Sequence, residues 1–224
     1  MGLERATIDY YGVGQYSLGR AFLIIYVSMN DDVFPISATH WLLLICVLLS
    51  WTDFVCCVIS QLKFHRPYPL LAKKLWQVVP FVVHGAFFSF LIAPRVRGCL
   101  TSPDCHMFWD QPGLYYIFLE LIAGAICILT FSSHMPEKIW PGTFDFLGQG
   151  HQIFHVASVT MTMFQFESGA ADAVQYYRAE QARPELWDIL AAILLLKLAC
   201  LTTIVCLKNK TLDCVRKESD MKSQ

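Results

Sequence analysis

Charge is scarce in this chain. Asp, Glu, Lys and Arg make up 16 % of its 224 residues, and 55 % are hydrophobic, whereas soluble domains carry about 25 % charge. A water-soluble fold of this composition would expose large apolar patches, so the shortage points to lipid as the solvent. There is also no excess of one sign. The formal net charge is -1, which excludes the basic face that a nucleic-acid partner requires. Metal-type cysteine spacing is missing as well. No CxxC pair occurs, and Cys46, Cys56, Cys57, Cys127, Cys200 and Cys206 sit in apolar runs, where a thiol acts as a small hydrophobe. Internal repeats and low-complexity segments are absent. The opening MGLERATIDYYG has neither the basic start nor the apolar stretch of a signal peptide, and position 6 lacks the Ser or Thr of a myristoylation site. Insertion is therefore expected to rely on the first spanning helix.

What the chain does have is long apolar runs. A spanning helix needs about 20 mostly apolar residues, and six segments qualify: Tyr10–Met29, His40–Leu62, Leu75–Ile92, Leu114–Ser132, Gln149–Phe166 and Leu186–Leu207. The fifth is short and semi-polar, which suits a helix covered by its neighbours. Lys and Arg collect in cytoplasmic loops. Here Lys63, Arg66, Lys73 and Lys74 crowd the second loop, and Lys208, Lys210, Arg216, Lys217 and Lys222 crowd the C-terminal tail. Four crossings separate the two, so six spans put both on one side, expected to be cytoplasmic together with the N-terminus. The third loop, RVRGCLTSPDC, then faces outward despite two arginines. Its Cys99 and Cys105 flank the polar stretch LTSPD. A disulfide and two free thiols both remain open there, and an oxidising outer face favours the disulfide. The expected architecture is an all-α membrane protein, a bundle of about six transmembrane helices over residues 1–207, followed by a basic cytoplasmic tail over 208–224.

Chemistry-bearing residues are few. His151 and His155 are four apart, which puts both imidazoles on one face of a helix, one turn apart. Such a pair can share one zinc ion if other ligands complete a tetrahedron, or it can hydrogen-bond between helices. Gly148 and Gly150 flank the helix start. Glu137 and Asp145, in the preceding loop, can cap helix ends or pair with Lys138. The topology puts Asp9, at the start of the first span, at the membrane depth of His151. Asp9 reads equally as a helix-start acid favoured by the dipole. Arg20 and Lys197 fall inside spans, where a charge is costly. Arg20 either lines an internal cavity or snorkels, and Lys197 faces a neighbouring helix or water. Trp41, Trp76, Trp109, Trp140 and Trp187 lie near span ends, as an interfacial belt does.

One stretch carries a specific resemblance. PEKIWPGTFDFLGQGHQIFHV, Pro136 to Val156, resembles the signature of the progestin and adipoQ receptor family through Pro136, Glu137, Pro141, Gly142, Phe144, Asp145, Gly148 and the HQIFHV block. IDYYGVGQYSLG, Ile8 to Gly19, resembles the Asp-Tyr start of that family's third spanning helix. HRPYPLLAKKLWQVVP, His65 to Pro80, is similar to the membrane progestin receptor branch, and the additional helix Leu186–Leu207 also fits that branch.

The resemblance implies a truncated version of a seven- or eight-helix receptor with a zinc site near the cytoplasmic side. Its metal ligands would include His151 and His155, and Asp9 would hold the zinc-bound water. The family's third zinc histidine lies on a helix preceding the Asp-Tyr motif. That helix, the N-terminal region and the first two family helices are expected to be missing here, which leaves the zinc site incomplete. Of the other histidines, His134 at the end of the fourth span and His84 in mid-span are the possible substitutes. His40, His65 and His106 read as solvated loop or interface residues. Three functions follow from the resemblance. The chain would be a plasma-membrane receptor that binds a steroid or related lipid and signals across the bilayer, with a G protein or a second copy of itself as partner. Alternatively it would be a zinc-dependent lipid amide hydrolase of the ceramidase kind, or an inactive truncated isoform that pairs with full-length relatives.

Overall fold

The computed structural model describes residues 3–29, 33–64, 70–106, 109–133, 136–140, 142–143, 148–175 and 185–222. Among them all regular structure is helical. The long elements are α1 (Leu3–Leu23), α2 (Thr39–Lys63), α3 (Leu70–Thr101), α4 (Pro112–Ser133), α5 (Gly150–Gln175) and α6 (Leu186–Lys222). A π-helical segment, Ile24–Ser28, continues α1, and a 3-10 turn, Ile36–Ala38, leads into α2. The six predicted spans fall on the six helices in order. By length and composition, four can cross a bilayer: α2, α3 from Leu71, α4, and α6 as far as Leu207. The remaining two carry polar side chains along their length, with Asp9, Gln15 and Arg20 in α1 and His151, His155, Gln165 and Asp172 in α5. Outward-facing residues on the apolar helices are themselves apolar. On α4, Phe118, Leu121, Ile122, Ile126 and Leu129 are all exposed. Such a surface needs lipid against it, and the chain is a multi-pass membrane protein.

The local sequence explains several helix ends. α4 opens on Pro112, at a position where a missing N–H costs nothing. α6 carries Asp188 in its first turn, and α1 carries Arg20 in its last turn, each opposing the helix dipole. The five tryptophans of the expected belt are all exposed.

Two compact units make up the chain. The first comprises residues 1–25, 34–89 and 184–224, and the second residues 26–33 and 90–183. In the first, α1 packs on α2, and both pack on α6. Its interior is built from Leu18, Ala21, Phe54, Cys57, Val58, Leu196 and Cys200. Trp51 Nε1 donates to Thr203 Oγ1 at 3.0 Å and ties α2 to α6. At one end of this unit, the Tyr10 hydroxyl accepts from Gln61 Nε2 (2.7 Å) and Gln77 Nε2 (3.0 Å), and Lys73 Nζ donates to Gln61 Oε1 (2.7 Å). In the second unit α4 pairs with α5. Gln165 Nε2 donates to Glu120 Oε1 across that pairing at 2.8 Å.

The structure corrects two sequence assignments. Arg95 and Asp172 were expected in the third and fifth loops. In fact α3 continues to Thr101 and α5 to Gln175, so both residues are helical and buried. Arg95 Nη2 donates to Asp172 Oδ1 at 2.6 Å. Its Nε donates to Gln111 Oε1 at 3.0 Å, and its Nη1 to the Ser28 carbonyl at 3.3 Å. A charge at the end of an apolar run looks like a loop residue when its partner lies 77 positions away. A Cβ at Gly113 would overlap the Asp172 carboxylate, so the start of α4 reaches this ion pair only because residue 113 has no side chain.

Of the two states left open for Cys99 and Cys105, the structure contains the disulfide, with Cα atoms 5.3 Å apart. It closes the turn after α3. Arg20 is buried rather than snorkelling, whereas Lys197 is exposed. The backbone of α6 runs on through Lys222, so the segment read as a tail is helical over 208–222.

Candidate functional site

The histidine pair stands at the start of α5, and the chain around it builds that start deliberately. Gly148 has φ +79°, a left-handed conformation that glycine takes without strain. Its N–H donates to Gln152 Oε1 at 2.9 Å. The Gly150 N–H donates to Glu137 Oε1 at 2.7 Å. Two amides at the open N-terminus of the helix thus find side-chain acceptors, as in a capping box. Glu137 also sets a negative charge against the positive end of the dipole. The expectation that Glu137 caps a helix end holds. Asp145 lies outside the described residues. Glu137→Ala is expected to lower the unfolding free energy in detergent by about 1 kcal/mol. Glu137→Gln should recover the part due to the hydrogen bond but not the part due to charge.

His151 and His155 are exposed, and the structure brings them together. Their Nε2 atoms are 3.1 Å apart, and their rings meet edge to face at 4.5 Å between centroids. Phe154 stacks on His151 at 6.1 Å. Phe154 is itself held against α4, with its ring 5.5 Å from Phe131 and its carbonyl accepting from Cys127 Sγ at 3.8 Å. The α4 contact therefore fixes the turn of α5 that carries both imidazoles.

Two nitrogens that face each other at this distance can share one proton, one ring donating to the other. They can also share one metal ion. Zinc–imidazole bonds are about 2.0–2.1 Å, so two ligands of a tetrahedral zinc stand roughly 3.3–3.4 Å apart. The observed separation is within a small side-chain rotation of that value, and the pair fits two corners of a zinc site. Catalytic zinc usually takes three protein ligands and a water. Among the described residues no group of three His, Cys, Asp or Glu gathers. His134 and His65 lie outside the described residues. His84 is committed elsewhere, with Nδ1 2.7 Å from Asp53 Oδ2. His40 is exposed, with Nδ1 3.5 Å from Asp188 Oδ1. His106 is exposed, and its backbone N–H donates to Asp110 Oδ2. Asp9 is exposed on α1 and belongs to the first unit, whereas the histidine pair belongs to the second.

The sequence missed Asp53 altogether. It is the lone acid of α2 and is fully buried. A single carboxylate inside a long apolar run was the available signal, because such a group survives in lipid only with a partner. Here the partner is His84, and both side chains are at most 3 % exposed. Asp53 Oδ1 and His84 Nε2 find no hydrogen-bond partner among the described residues. Each buried unmade bond costs about 1–3 kcal/mol.

Comparison with known proteins agrees with the motif. The model of a family described as haemolysin-III related matches residues 5–166. Membrane progestin receptor beta of Mus musculus is 29 % identical over 164 residues, which cover 72 % of this chain and 44 % of the relative. Membrane progestin receptor alpha-B of Danio rerio is 31 % identical over 175 residues, covering 76 % of this chain and 47 % of the relative. Membrane progestin receptor delta of Homo sapiens is 43 % identical over 58 residues, 26 % of this chain and 16 % of the relative. In its match to each of the first two, the chain spans less than half of the relative's length. No solved structure matches. The resemblance to progestin and adipoQ receptors carried by residues 136–156 is borne out.

Proposed function

We propose a function for this chain from one premise: it belongs to the haemolysin-III-related family. The chain is a membrane receptor that takes a steroid or related lipid between its helices, and His151 and His155 are zinc ligands at the cytoplasmic end of α5. The observation that carries this reading is the convergence of the two Nε2 atoms at 3.1 Å inside the family's own motif. The relatives named above are progestin receptors by name, which supports a steroid as the ligand class and the plasma membrane as the location. The basic clusters of the second loop and of 208–224 support a cytoplasmic N-terminus and C-terminus. The Cys99–Cys105 disulfide supports an outward turn between α3 and α4, since disulfides persist in oxidising compartments. A G protein or a second copy of the chain is the partner on this reading.

In the receptor, His151 and His155 would hold a zinc ion, Glu137 and Gln152 keep the start of α5 wound, and Phe154 sets the imidazole planes. A bound zinc lowers the pKa of water towards neutrality and polarises a carbonyl. The second reading, a lipid amide hydrolase acting on ceramide-like substrates, draws on that chemistry. On that reading Asp9 would serve as a proton acceptor.

Steroid binding by the purified chain in nanodiscs tests the proposal. Saturable uptake of a radiolabelled progestin, displaced by unlabelled progestin, is expected. Uptake that rises linearly with no displaceable fraction would overturn the receptor reading. Release of fatty acid from ceramide, lost in Asp9→Asn, would favour the hydrolase.

A further inference from the structure

We propose that Asp53 and His84 form a second site, inside the membrane helices, that binds a hydroxyl group: either a trapped water or the hydroxyl of a membrane amphiphile. Both residues belong to the first compact unit, on α2 and α3, and the site is independent of the histidine pair on α5. His84 Nδ1 and Asp53 Oδ2 are 2.7 Å apart. The side chains are 3 % and 1 % exposed, yet His84 Nε2 and Asp53 Oδ1 have no hydrogen-bond partner among the described residues. Ser50 precedes Asp53 by three residues, so the two share one face of α2. Ser50 is wholly buried, and its Oγ is likewise unpartnered. α1 closes over this level. A Cβ at Gly14 would stand 3.3 Å from the Ser50 carbonyl oxygen, and the adjacent Gln15 has a buried Nε2 that finds no acceptor. The Phe88 ring covers His84 at 4.5 Å between centroids.

The chemical class follows from the proton count. If the proton sits on His84 Nδ1 and Asp53 is ionised, then Nε2 and Oδ1 are both bare acceptors, and the site needs a donor. If the proton sits on Asp53 Oδ2, then Nε2–H is a donor and Oδ1 is an acceptor, and the site needs both. An ammonium suits only the first state, and a ketone oxygen suits only part of the second. A water suits both states, and a hydroxyl, with one donor and two lone pairs, meets the second in full and one of the two acceptors of the first. Buried unpaired polar atoms in a native fold call for such a partner. In lipid no bulk water reaches them.

The test is the nitrogen resonance of His84 Nε2 in 15N-histidine-labelled protein reconstituted in nanodiscs, assigned by its loss in His84→Phe. Should that variant not fold, His84→Gln keeps a polar side chain for the assignment. A hydrogen-bonded Nε2 is expected, either an imine nitrogen shifted by the hydroxyl it accepts from or an N–H shifted by the acceptor it donates to, and moved again in Asp53→Asn. If the shifted resonance is present in plain phosphatidylcholine discs and unchanged by cholesterol, the occupant is water. If it appears or moves only when cholesterol is added, the occupant is the amphiphile's hydroxyl. A bare imine resonance, or an Nε2–H resonance at the position of an N–H that donates to nothing, in both membranes overturns the proposal, as does an Nε2 shift indifferent to Asp53→Asn.

Discussion

Asp172→Ala is expected to destabilise the second compact unit by about 3–5 kcal/mol, the cost of breaking a buried ion pair by removing one partner. Arg95 would stay buried with its charge intact. Its bonds to Gln111 and the Ser28 carbonyl are to neutral acceptors. The carboxylate also fills space that nothing else fills, because Gly113 packs directly on it. Replacing both partners separates charge from packing. Arg95→Met with Asp172→Leu removes both buried charges and should recover most of the loss. Unfolding by denaturant in mild detergent, followed for both variants, reads these values. A single-variant loss below about 0.5 kcal/mol would be the behaviour of a surface substitution and would contradict the structural role given to the pair.

That pair also shows where the sequence was readable and where it was not. Six helices and their order were legible because each carries a largely apolar run, and in four of them that run is long and apolar enough to span. The lower ends of α3 and α5 were not. Arg95 and Asp172 broke the apolar runs and read as loop residues, and nothing local marks them as each other's partner. The histidine pair was legible because helical spacing alone puts i and i+4 on one face. Glu137 as a helix cap was legible for a similar reason, as an acid shortly before a glycine-flanked helix start. The Asp53–His84 pair needed the fold. Each residue lies alone in its own span, and only the packing of the helices reveals that one answers the other. The disulfide was half legible: six positions of separation permit a bridge, but spacing cannot decide that one forms.

The second large effect is on metal binding. If the two imidazoles hold the ion as proposed, removing either leaves a single monodentate ligand, so His151→Ala and His155→Ala are each expected to abolish saturable zinc uptake rather than weaken it. Asp9→Asn, which removes no imidazole, should leave uptake in place. Acidification should act like the histidine variants. Only neutral imidazole binds a metal, so protons compete with it for the site. Glu137→Ala should weaken uptake without abolishing it, since it loosens the helix start and leaves both nitrogens present.

The account rests on the claim that His151 and His155 together hold a metal ion, and zinc titration of the purified full chain by calorimetry tests that claim most directly. One zinc per chain, taken up with proton release and lost in each single alanine variant, is the predicted result. Wild-type stoichiometry retained in the His151→Ala, His155→Ala double variant would contradict it.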